Sequence, residues 1–175
     1  MSATTIPSEV LKELQRQMNH EFSAAHAYQA LSAWCAVTNL KGFAGYFARQ
    51  ADEERAHAKK ILSHLVARGV EPELDEIARP EHDFESLLEV ARQAQLMEQA
   101  NTRGIHAVYE AALAAKDYPA QVLLHWFINE QVEEEAWCAE MVQRVAGATC
   151  AGSLGDLDRH IVGLLAADAS SAEAE

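Results

Sequence analysis

Glu54 and His57, three residues apart in the run DEERAH (Asp52 to His57), would carry a carboxylate and an imidazole to one side of a helix. A second run, NEQVEEE (Asn129 to Glu135), spaces Glu130, Glu133 and Glu134 at i, i+3 and i+4, with Gln131 three residues before Glu134. Glu21 and Glu98 stand alone in less polar surroundings. Carboxylates with an imidazole are the donors a hard or borderline cation takes. The ordinary alternative is a solvated acidic face, on which the pairs Glu130 with Glu133 and Glu130 with Glu134 cost only about 0.4–1 kcal/mol together. The direction in which each acid points separates the two readings, and the surrounding elements set that direction.

Gly and Pro are scarce, eight and four, and breaks fall at Lys41-Gly42 with Gly45, at Gly69 to Pro80, and at Asp117-Tyr118-Pro119. Between the breaks apolar residues recur at three- and four-residue steps, which predicts helices and not strands. The expected elements are a helix from Ser8, as N-cap after Pro7, to Val37; one from about Gly42 to Arg68, stopped by Gly69; one from about Asp83 to Lys116; and one from Pro119 to Gly147. Short links make the first two and the last two antiparallel hairpins. The link Gly69 to Asp83 is long enough to travel the length of a bundle, which sets the third helix parallel to the second. A fifth helix is expected over about 153–167, and a disordered acidic tail over about 168–175. The fold class is therefore all-α, one domain over 1–175: a four-helix bundle (about 8–147) with a long crossover and a short C-terminal helix.

Projected on those helices, the acids fall in core rows. The first helix has the stripe Leu14, Met18, Glu21, Ala25, Tyr28, Ser32, Cys35; the second has Phe43, Phe47, Gln50, Glu54, His57, Ile61. The third reads Leu88, Ala91, Ala94 or Gln95, Glu98, Thr102, Ile105, Tyr109, Ala112; the fourth Leu124, Phe127, Gln131, Glu134, Cys138, Met141, Val145. The interruptions share a height. Glu21 lies eighteen residues before Asn39 and His57 eighteen after it, while Glu98 is twenty before Tyr118 and Glu134 sixteen after. An uncompensated ion at that depth costs several kcal/mol, and four carboxylates cannot neutralise one another. A cation is expected there. Hard oxygen donors with one imidazole, bridging two metals inside a bundle, suit iron better than zinc.

The bulk properties agree. Acids outnumber bases 27 to 14, for a formal net charge of −13, and no basic tail is present, so nucleic acid and anionic membranes are not expected partners. No 18-residue apolar run and no signal-peptide pattern are seen, and a cytoplasmic location is expected. Cys35, Cys138 and Cys150 form no C-x-x-C and are expected as reduced, packed thiols.

The set Glu21 with Tyr28, DEERAH, Glu98, and KDYPAQVLLHWFINEQVEEE (Lys116 to Glu135) resembles the bacterial non-haem ferritins over nearly the full chain. The resemblance implies a ferritin-like bundle with ferroxidase activity and iron storage. Glu21, Glu54 and His57 would hold one iron; Glu54, Glu98 and Glu134 the second, with Glu54 bridging and Gln131 close by. Tyr28 would lie beside the pair with Trp126 as an electron-donating neighbour. Glu53, Glu130 and Glu133 match a third iron position on the inner side. Fe(II) and dioxygen or peroxide would be the reactants, and the assembly a hollow homo-oligomer of twenty-four subunits.

Related families differ at named positions. Bacterioferritins carry a second Glu-x-x-His where this chain has Gln131-x-x-Glu134, and a haem-holding methionine where it has Arg55, so haem is not expected. Rubrerythrins add a Cys-rich iron module, and the DNA-protecting miniferritins often have basic tails; this chain shows neither feature. The rival functions are a di-iron peroxidase or oxygenase with its own substrate, and a helical scaffold whose buried acids bind a divalent ion for stability.

Overall fold

The computed structural model describes residues 6–172, with side chains through 163. The chain forms α1 (Ser8–Val37), α2 (Lys41–Ala67), α3 (Leu87–Ala114), α4 (Tyr118–Gly147) and α5 (Ala151–Ala172), with no strand among the described residues. Ser8 is the first helical residue and Pro7 occupies the cap position, so Ser8 is not the N-cap expected of it. The helix α5 starts two residues before the expected 153, and it continues to Ala172, so 168–172 are helical where disorder was expected. The stretch after Gly163 has neither Gly nor Pro and is rich in alanine, the strongest helix former. The remainder of that tail, 173–175, lies outside the described residues.

The helix ends are closed locally. The helices α1, α2 and α3 are each followed by a residue in the left-handed region, Asn39 (φ 61), Gly69 (φ 77) and Lys116 (φ 56). The next N–H then reaches back: Leu40 to the Cys35 carbonyl at 2.9 Å, Val70 to Leu65 at 3.0 Å, Asp117 to Ala112 at 2.9 Å. This satisfies carbonyls that the helix leaves without partners and turns the chain sharply. At the start of α3, Ser86 Oγ accepts from the Glu89 N–H at 3.3 Å, while the Glu89 carboxylate accepts from the Glu85 N–H at 2.9 Å. At the start of α4, the Asp117 carboxylate accepts from the Ala120 N–H at 3.3 Å and from Arg68 Nη1 at 2.7 Å to each oxygen. The helix α2 has no side-chain cap from its own neighbours; Asp158 of α5 accepts from the Phe43 N–H at 3.0 Å instead.

The helix α1 packs on α2 and on α3, α3 packs on α4, and α5 lies against α2. Trp34 Nε1, near the end of α1, donates to the Phe84 carbonyl at 3.1 Å just before α3 begins. The crossover therefore returns to the end where α2 started, and α3 runs parallel to α2 as the link length predicts. Midway it is pinned to α1: Asn19 Nδ2 donates to the Glu73 carbonyl at 2.9 Å, and the Asp75 N–H donates to Asn19 Oδ1 at 3.0 Å.

Two apolar clusters form the core. One gathers Tyr28, Phe43, Tyr46, Phe47 and Met141; the other gathers Leu14, Met18, Ile61, Leu65 and Phe127. Between them lies a polar layer of buried side chains: Gln17, Glu21, Gln50, Glu54, His57, Glu98, Asn101 and Gln131.

Candidate metal centre

Each of the four bundle helices turns polar residues into that layer. Glu21 of α1 with Glu54 and His57 of α2 form a group in which one donor atom from each lies within 4.8 Å of the others, the one three-donor group of this kind among the described residues. His57 Nδ1 is 3.6 Å from Glu54 Oε2 and 3.9 Å from Glu21 Oε2. Glu21 and Glu54 are fully buried and His57 is 5% exposed. Glu21 Oε2, Glu54 Oε1 and His57 Nδ1 are buried with no hydrogen-bond partner. Unpartnered buried polar atoms are rare and costly, and three of them on the residues of one compact group fit a cation that takes a lone pair from each residue.

The electrostatics agree with that reading. Burial, then the neighbouring Glu54, raises the Glu21 carboxyl well above its usual range. Burial, with further elevation from Glu98 and Glu134, raises Glu54 to about 8. Without a cation these acids hold protons that ionised carboxylates would have lost, and a divalent ion supplies the compensating charge.

Glu98 and Glu134, expected with Glu54 around a second ion, lie outside the compact group. Both oxygens of the buried Glu98 are engaged: the Tyr28 hydroxyl donates to Oε1, and Gln131 Nε2 donates to Oε2 at 3.2 Å. Gln131 Nε2 also donates to the Glu98 carbonyl and to Thr102 Oγ1, each at 3.3 Å. Glu134 accepts from Gln50 Nε2 at 3.2 Å and is raised to about 8 by burial, then by Glu98, Glu53 and Glu130. Tyr28 is fully buried, and its phenol is pushed up by burial and then by the Glu98 charge.

Glu53, Glu130 and Glu133 line a groove of about 610 Å³ between α2 and α4, together with His57, Glu134, Trp126, Trp137, Tyr46 and Arg49. The groove thus joins the outer acids to the layer. Ile161 of α5 sits at its edge. The Trp126 ring meets His57 edge-on at 5.4 Å, and Lys60 Nζ stands 3.9 Å from the centre of its face. Arg55 pairs with Asp52 at 2.5 Å.

Gln50 takes part in the layer from its place in the core row of α2, and Gln17 and Asn101 join it from outside the rows read in sequence. Gln17 sits one helical turn before Glu21, which was the available signal. Cys35 and Cys138 are buried as expected, but Cys150 is exposed, held at the start of α5 by hydrogen bonds to Ser153. No helix among the described residues is long and apolar enough to cross a membrane.

A family model described as ferritin-like domain matches residues 11–148. Among curated proteins, the bacterial non-heme ferritin of Staphylococcus aureus is 42% identical over 131 residues, 75% of this chain and 79% of the relative. That of Staphylococcus haemolyticus is 41% identical over the same shares. Among solved structures, an open pore ferritin from the hyperthermophilic archaeon Archaeoglobus fulgidus superposes with a TM-score of 0.86 at 28% identity, covering 90% of this chain and 98% of that one. A humanized archaeal ferritin gives 0.87 at 30% identity, covering 90% and 96%.

Proposed function

The chain belongs to the ferritin family, and from that membership we propose that it takes up ferrous iron, oxidises it at a paired site inside each subunit, and stores the ferric product as a hydrated oxide mineral. The observation that carries the reading is the set of three buried, partnerless donor atoms on Glu21, Glu54 and His57. Iron is here the substrate and the cargo. Glu21, Glu54 and His57 hold the first ion; Glu54, Glu98 and Glu134 hold the second, with Glu54 shared and Gln131 fixing Glu98. For both ions to be served, Glu98 and Glu134 exchange their amide and phenol partners for metal, which carboxylates with two oxygens can do without moving a helix.

Two ferrous ions give up one electron each. Dioxygen with two protons becomes hydrogen peroxide, or peroxide with two protons becomes two waters, so the charge balances with either oxidant. Carboxylates favour the harder ferric product. Glu53, Glu130 and Glu133, along the groove, form a third position that draws ferric ions off the pair toward the mineral; Tyr28 lies beside the pair on Glu98, and Trp126, edge-on to His57, is the neighbour placed to donate an electron where iron supplies too few. The family points to a hollow shell of twenty-four copies in the cytoplasm, and the net charge of −13 suits a container for cations.

Oxygen uptake after two ferrous ions per subunit are added to iron-free protein tests the reading, run beside Glu54→Ala. Rapid uptake that the substitution abolishes, with iron then eluting with a large particle, is the expected result. Turnover of an organic substrate without retained iron would indicate an oxygenase. Uptake no faster than in buffer would leave a scaffold stabilised by divalent ions.

A further inference from the structure

Gln17 of α1 and Asn101 of α3 are both fully buried. Gln17 Nε2 donates to Glu21 Oε1 at 2.8 Å and to Asn101 Oδ1 at 3.2 Å, and Asn101 Nδ2 donates to Glu54 Oε2 at 3.2 Å. Both N–H groups of Gln17 are thereby committed. Once Glu21 is ionised on a cation, the reverse orientation would press the Gln17 carbonyl oxygen against a carboxylate, so the chain of amides then has one direction. Each carboxylate is held by one oxygen, and the other oxygens, Glu21 Oε2 and Glu54 Oε1, are the partnerless ones.

Resting on the reading of Glu21, Glu54 and His57 as iron donors, we infer that Gln17 and Asn101 are positioning residues: an amide clamp that holds one oxygen of each carboxylate and offers the other to the ion. A carboxylate can close on a cation with one oxygen or two. Closing with both means giving up a buried N–H donor, which is costly in a dry interior. The clamp therefore biases Glu21 and Glu54 toward single-atom ligation of the first ion, and Glu54 gives up its Asn101 contact only where the second ion replaces it. Positions around the ion stay open to water and oxidant, which suits a substrate that must enter and leave.

Gly104 completes the device. It lies one turn beyond Asn101 on α3, and a Cβ there would overlap Gln17 Oε1, so only glycine leaves room for the amide. Gly104 has no side chain to touch either carboxylate, so a substitution there perturbs the clamp while keeping every donor and ligand in the chain.

The test is an anaerobic titration with cobalt(II), followed by its visible ligand-field spectrum, on the wild type, Gln17→Met, Asn101→Leu and Gly104→Ala, with His57→Ala as control and circular dichroism to verify folding. Wild type is expected to bind cobalt with a spectral component, from the position of Glu21, Glu54 and His57, that His57→Ala abolishes. The three clamp variants are expected to bind cobalt about 10–100-fold more weakly. Their molar absorption should fall, as freed carboxylates close with both oxygens and raise the coordination number. Each variant answers independently, so failure of one to fold leaves the other two. Affinities within about twofold of wild type with superimposable spectra overturn the clamp and leave the metal triad standing. A wild type with no His57-dependent spectrum sinks the triad and the clamp with it.

Discussion

The Tyr28 hydroxyl of α1 donates a hydrogen bond to Oε1 of Glu98 on α3, and Gln131 of α4 holds Oε2 of the same carboxylate at 3.2 Å. Glu98 is thus bonded at both oxygens, whereas Glu21 and Glu54 each keep one oxygen without a partner. Because burial keeps the Tyr28 phenol protonated, it acts as a donor in this contact. Tyr28→Phe removes that donor and leaves a buried carboxylate oxygen unpaired. In the iron-free protein the expected loss is about 1–3 kcal/mol, read from urea unfolding with an unchanged slope. A midpoint equal to wild type would show that Glu98 finds another donor.

The raised acids set a pH dependence. Glu54 and Glu134 titrate near 8 in the folded chain, against an ordinary value of 4.5. Between those values the folded state holds protons the unfolded state has released, so their contribution to stability is fully present below about pH 4.5 and is lost as pH rises through 8. A bound cation takes the place of those protons. The gain in melting temperature on adding a divalent ion is therefore expected to be larger at pH 8 than at pH 5.5, with protons released on binding at neutral pH. A metal-induced gain that shrinks with rising pH would contradict the assignment of these acids to the ion.

The groove acids should act after the first turnover. The combined substitution Glu53→Gln, Glu130→Gln and Glu133→Gln is expected to leave oxygen uptake near the wild-type rate for the first two ferrous ions per subunit. It should slow later additions severalfold, since the product no longer has its route off the pair. Stepwise additions followed with an oxygen electrode check this. An impaired first addition would mean that the groove delivers iron and does not remove it.

The Arg68–Asp117 pair secures the opposite end of the bundle. Arg68 just past α2 reaches both oxygens of the residue that caps α4, and the Asp117 side chain is 1% exposed. Asp117→Ala leaves a largely buried guanidinium without this partner and removes the cap, so about 3–5 kcal/mol of stability is expected to go. Arg68→Met combined with Asp117→Ser, which keeps a capping oxygen, should recover more than half of that in a chemical denaturation series. A double variant as unstable as the single one would show that the charge is not the problem.

Helical periodicity alone was enough to locate the layer. Every member of the α1 and α2 stripes is buried, and Glu98 and Gln131 are buried with them, because an acid in a 3.6-residue apolar row has nowhere to point but inward. The α3 row was harder to read. Periodicity puts Thr102 in the core row, yet Asn101 is fully buried while Thr102 is partly exposed, since α3 faces both α1 and α4 and presents a wider stripe than one row. The amide clamp was out of reach for a different reason: it joins residues 84 positions apart, and Gln17 gains its meaning only from Asn101 and Gly104 on another helix. The length of α5 was underestimated because small residues with weak periodicity read as a tail, although alanine needs no apolar face to favour a helix.

A machine that handles cargo in cycles must tolerate being empty as well as full. Here the apolar packing is split, with one cluster clasping the helices on each side of the layer that meets the ion. The two clasps, which include none of the acids, hold the helices on both sides of the layer. Walls held in that way offer successive ions the same spacing. Fatigue, in the sense of ligands drifting between one load and the next, is resisted by apolar packing on both sides of them.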